Sequence, residues 1–125
     1  MTNEAKQQWI IWWVLWLAFQ GGIFFIYHFV GKGIARPAAP AESAIWLLGF
    51  VPIAISAFVR WAVLPRIESA TAALPMFIVG IAMAEVACFL GLFIFPAHRQ
   101  ELFGASAAGI FQFIPFFARR YFPPG

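Results

Sequence analysis

The residue in this sequence best placed to do chemistry is Glu85, the only charged side chain in the apolar stretch from Leu74 to Phe95. A helix of that length spans a bilayer, and a carboxyl at its midpoint is costly unless something compensates for it. An amide side chain could hold helices together at lower cost, so an acid there points to proton or sodium binding. Helical rise selects its companions. Gln20 falls at the centre of the first apolar segment, and Gln112 lies two residues past the centre of the fourth, a height difference of roughly 3 Å. Reflection across the loop at Glu68 and Ser69 puts Pro52 opposite Glu85, with Ser56 one turn away. Pro52 also leaves the carbonyl of Leu48 without its helical donor. Arg60 lies some eight residues, or about 12 Å, from this level, so no direct pair with Glu85 is expected. Without a close cation the carboxyl should remain protonated and able to donate a hydrogen bond. Two uses of this level stay open. One is an ion site in which Glu85 binds a proton or sodium and Gln20, Ser56 and Gln112 complete its shell. The other is a polar pin that fixes helix register and transports nothing.

The remaining reactive side chains are few. His28 and His98 could anchor a haem only if they faced each other across the bundle, and His98 with Glu101 has no specific zinc spacing. No cofactor or metal is therefore expected. Cys88 is a small apolar residue with no partner for an internal disulfide. Trp9, Trp12, Trp13 and Trp16 share one helix face, as expected of an interfacial belt and packing surface, whereas a cage for a cationic ligand needs rings from several directions. There is no paired-carboxylate, Ser-His-Asp or Cys-His arrangement and no glycine-rich phosphate loop, so the chain is not expected to be an enzyme.

The elements that carry these residues follow from composition. Of 125 residues, 63% are hydrophobic and 10% charged, which is the profile of an integral membrane protein in a lipid bilayer, taken to be the bacterial inner membrane. Apolar runs predict four transmembrane helices at about 9–30, 45–64, 74–95 and 102–118, an all-α bundle forming one domain over 1–125. No ten-residue alternation of the kind a barrel needs is present. Gly31 and Gly33 end the first segment, "RPAAPAES" makes a stiff spacer with Ser43 as an N-cap, Pro75 suits the first turn of the third helix, and Pro96 stops it. The first segment is too long and too rich in tryptophan for a cleaved signal peptide, so it is read as a retained helix. Lys6, Arg60, Arg66, Arg119 and Arg120 stand on one side against Lys32, Arg36 and Arg99 on the other, which puts both termini in the cytoplasm. These scattered basic residues form no stripe, and no nucleic-acid partner is expected.

Small residues mark where helices approach. Gly80, Ala84, Ala87, Cys88 and Gly91 trace a seam beside Glu85, and Gly104, Ala105, Ala108 and Gly109 repeat it on the fourth segment. Two seams in so short a chain predict tight internal packing, a homo-oligomer, or a place in a larger membrane complex. The segment "GIAMAEVACFLGL" resembles the carboxylate-bearing helix of rotary ATPase proteolipids, the c subunits of ATP synthases. Gly80, Ala82, Glu85, Gly91 and Leu92 occupy that family's pattern positions, and "RIESATAAL" is similar to its polar cytoplasmic loop. The resemblance, over residues 66–92, implies a proton or sodium site at Glu85. The competing expectation is a non-catalytic accessory subunit in which the polar centre and the tryptophan face serve only contact.

Overall fold

Thr2 opens the first helix by accepting a hydrogen bond at Oγ1 from the Ala5 amide (3.1 Å), and Glu4 in the first turn complements the helix dipole. The polar stretch before Trp9 is thereby helical too, and the element starts earlier than its apolar run. The computed structural model describes residues 2–33 and 44–122. These form four helices, each long and apolar enough to cross a membrane: α1 (Asn3–Gly33), α2 (Ala44–Arg66), α3 (Ala70–Phe93) and α4 (Pro96–Tyr121). No strand occurs among the described residues. The spacer, Arg36 and the Ser43 cap lie outside them.

Three of the four helices change winding along their length. α1 loosens to a π-helical turn over Ile26–Val30 and tightens at Gly31–Gly33, so the helix continues through the glycines expected to end it. Gly31 is buried there, where a Cβ would meet Leu92 Cδ2 at 3.2 Å. α2 begins as a 3-10 helix (Ala44–Phe50), is α-helical over Val51–Phe58, and carries a π-helical turn over Val59–Val63. Pro52 sits in the first turn of the α-helical part, where its missing N–H breaks no bond. Ser69 caps α3, its Oγ accepting from the Ala72 amide at 3.2 Å. That cap starts the helix at Ala70 and places Pro75 inside it, not in its first turn as the sequence suggested.

The largest departure is in α4. It is α-helical only over Arg99–Phe111 and resumes as a 3-10 helix over Pro115–Tyr121. Pro115 has no N–H to give, and Ile114 ahead of it is extended (φ −51°, ψ 128°), as a residue before proline prefers. The uninterrupted segment expected at 102–118 is thus broken near its middle.

α3 is the centre of the assembly, packing against all three other helices and most extensively against α4. α1 and α2 each pack on the α3–α4 pair. Small residues make the close approach. Ala84 and Ala87 are fully buried, Gly80 lies against Phe113 and Val59, a Cβ on Gly91 would stand 2.9 Å from Leu102 Cβ, and one on Gly109 would stand 2.9 Å from Ala84 Cβ. The seam expected on α3 is therefore the packed face. On α4 the inward face is instead Leu102, Ser106, Gly109 and Ile110. Gly104 has nothing within 4 Å of where a Cβ would be, and Ala108 is exposed, so neither belongs to the packed face among the described residues. The core is filled by Trp12, Phe77, Ile81 and Phe113, each at most 1% exposed, while Leu17, Phe25, Leu48, Phe58 and Phe93 face outward.

Candidate functional site

The break in α4 creates the first of two polar regions. Where a helix is interrupted its carbonyls lose their i+4 donors and need others. Arg60, in the π-helical turn of α2, supplies one by donating from Nε to the Gln112 carbonyl at 2.7 Å. Trp61 Nε1 donates to Gln112 Oε1 (2.9 Å), Gln112 Nε2 donates to Ser56 Oγ (3.4 Å), and Ser56 Oγ donates to the Gly80 carbonyl (2.7 Å). The Arg60 guanidinium carbon lies 4.1 Å from the ring centres of both Trp61 and Phe117. On the far side of α4, Trp16 Nε1 donates to the Ile110 carbonyl at 2.9 Å, which ties α1 to the same turn.

Glu85 is arranged otherwise. Ala84, Ala87 and Cys88 on the packed face of α3 hold it at the edge of that face, half-buried. Glu85 lines a shallow hollow of about 200 Å³ together with Ala18 and Phe19 of α1. Among the described residues it forms no hydrogen bond, and the ion pair found there joins His98 and Glu101 (3.9 Å). Gln20 Oε1 and Ser106 Oγ are buried with no hydrogen-bond partner among the described residues. Packing contacts give their heights. Trp16 against Ile110 and Phe24 against Phe103 bracket Gln20 at the level of Ser106, and Ala84 against Gly109 and Gly91 against Leu102 bracket Glu85 close to it. Helical rise then puts the three within about 3 Å in height. The chain matches no protein-family model, no curated protein and no solved structure.

Of the four residues expected to form one shell, Ser56 and Gln112 come together, but with Arg60 and Trp61. The contact of Gly80 with Phe113 sets Gln112 about one turn, or ~6 Å, below Glu85. Gln20 shares the level of Glu85 and makes no hydrogen bond through its oxygen among the described residues. Arg60 and Trp61 went unrecognised as site residues, although Pro115 already marked in the sequence where α4 must give up a carbonyl. The aromatic stripe of α1 packs inward: Trp12 stacks on Phe77 at 4.4 Å and neighbours Phe117, Tyr121 and Phe122. His28 lies beside Tyr27 and Phe103, and His98 stacks on Trp46 at 4.0 Å. No three His, Cys, Asp or Glu side chains gather among the described residues.

Proposed function

We propose that this chain is a small integral membrane protein in which Glu85 binds a proton or a sodium ion, in a site completed by a second copy or by a larger membrane complex. Both termini and the α2–α3 turn lie on the cytoplasmic side, following the excess of basic residues there, in a membrane taken to be the bacterial inner one. The observation that carries this reading is a mid-helix carboxyl, half-buried and open sideways, with no hydrogen bond or ion pair among the described residues. In a bilayer such a group must be protonated, coordinate a cation, or meet a donor from another chain. The unpaired oxygens of Gln20 and Ser106 at the same height suit a hard cation or a protonated carboxyl better than an anion. The similarity of residues 66–92 to rotary ATPase proteolipids points to the same chemistry.

The test is carbodiimide labelling in membranes across pH, with and without sodium, read by mass spectrometry. Labelling of Glu85 is the expected result, suppressed by sodium where sodium is the bound ion and unaffected by it where the proton is. A carboxyl unlabelled at every pH would overturn the reading. One observation favours the second reading, a non-catalytic accessory subunit: the interior is filled by Trp12, Phe77, Ile81 and Phe113. Any role is then exercised on the outer surface. Under that reading Glu85→Gln leaves the partner complex fully active.

A further inference from the structure

Arg60 and Arg120 line one hollow of about 140 Å³ together with Leu64, Pro65 and Phe117. Both are held in place by groups that carry no full negative charge. Arg60 is fixed through Nε to the Gln112 carbonyl and by its two ring neighbours. Arg120 donates through Nη2 to the carbonyls of Leu64 (2.8 Å) and Ile67 (2.9 Å) and to the Tyr121 hydroxyl (2.7 Å). Tyr121 in turn donates to the Ile67 carbonyl at 2.8 Å. Both Nη groups of Arg60, and Nε and Nη1 of Arg120, have no partner among the described residues. Neither guanidinium has a carboxylate within ion-pair distance there, and Glu68, in the α2–α3 turn, is exposed.

The half-buried Arg60 and the exposed Arg120, side by side, immobilised and with donors to spare, are complementary to a tetrahedral dianion or monoanion and not to a neutral ligand. We propose that Arg60 and Arg120 form a binding site for a phosphate group, filled by the headgroup of an anionic phospholipid. The lipid source rests on the membrane reading above and follows from the surroundings of the hollow. Its walls are apolar, and Phe58 (63% exposed), Trp61 (63%) and Phe116 (62%) continue outward as a surface for acyl chains. Arg120 is tied to the α2–α3 turn, and Arg60 lies one to two turns deeper along α2, the spacing of a headgroup pocket between helices.

The experiment is native mass spectrometry of the full chain released from vesicles of phosphatidylcholine mixed with phosphatidylglycerol. The expected result is selective retention of one phosphatidylglycerol per chain. Arg120→Gln and Arg60→Lys should each weaken that selectivity about tenfold, the worth of a charged hydrogen bond, and exposed Arg119→Gln should leave it unchanged. Arg120→Lys, which keeps the charge and loses the fork, should show an intermediate loss and serves if Arg120→Gln does not fold. Equal retention of both lipids, or unchanged selectivity in the Arg60 and Arg120 variants, would overturn the site. Displacement of the lipid by inorganic phosphate would overturn the headgroup assignment in favour of free phosphate. Carbonate extraction separates the two failures: a chain that leaves the membrane overturns the membrane reading, whereas one that stays and shows no lipid preference overturns this site alone.

Discussion

Gln112 and Glu85 both interrupt long apolar helices, yet they are served in opposite ways. Gln112 has its amide N–H on the Ala108 carbonyl, its carbonyl on Arg60, its side-chain oxygen on Trp61 and its side-chain amide on Ser56. Glu85, about one turn away in height, has a carboxyl for which the described residues provide nothing. A polar group that a fold needs for its own stability is one the fold satisfies, because a buried donor or acceptor left unmade costs more than a made one returns. The difference assigns Gln112 to the architecture, whereas no contact among the described residues accounts for Glu85, the residue to which the proposal above gives an ion.

The strongest way to break this comparison is through Gly80, whose carbonyl receives Ser56 and whose bare Cα receives the edge of Phe113. Gly80→Val should destabilise the protein by about 3 kcal/mol, since the ring must leave and the core repack. Thermal unfolding in detergent measures it. The partner substitution Gly104→Val, at a position with nothing within 4 Å, should leave unfolding unchanged. If it disperses an oligomer in analytical ultracentrifugation, the outward seam is a contact between chains.

Next in size is Arg60→Met, which keeps apolar bulk beside Trp61 and Phe117 and strands the Gln112 carbonyl. The expected loss is about 1–2 kcal/mol, that of a partly buried acceptor without a donor. An unchanged midpoint would mean the break in α4 is satisfied by water, and Gln112 would then differ little from Glu85.

What the sequence made legible divides along the same line. Length and apolar content were enough for four helices, and the spacing of Gly80, Ala84, Ala87 and Gly91 was enough for the packed face of α3, because both depend on residues close in sequence. Height along a helix was also roughly legible, which is why Gln20 does share the level of Glu85. Azimuth was not. Ser56 and Gln112 were placed near the right depth but given the wrong partner, since which way a side chain faces depends on π-helical turns and breaks that apolar runs do not reveal. Pro115 was the overlooked signal: its cost to α4 could have been read from the sequence and would have moved Gln112 out of the shell of Glu85.

Glu85→Gln tests the open side of the comparison directly. With no partner among the described residues, the Gln variant should unfold within about 0.5 kcal/mol of the parent, as substitutions away from special contacts do. It should also abolish carbodiimide labelling. A loss of 2 kcal/mol or more in the isolated protein would show that the carboxyl is pinned internally, and the contrast with Gln112 would fail.

A small effect whose sign is open is the most discriminating about what surrounds that carboxyl. Ser106 is fully buried on the inward face of α4, its hydroxyl has no partner among the described residues, and it stands at the height of Gln20 and Glu85. If its surroundings are as dry as the packing suggests, Ser106→Ala removes an unsatisfied group and raises stability by roughly 0.5–1 kcal/mol. If instead Ser106 holds a water that also reaches Gln20, the alanine variant loses a comparable amount, because the bridge and its hydrogen bonds go together. The sign of the change, measured in the parent and again in Glu85→Gln, decides whether the three oxygens act as one site. Equal shifts in both backgrounds mean that Ser106 and Glu85 are independent, and unequal shifts mean that they share a ligand.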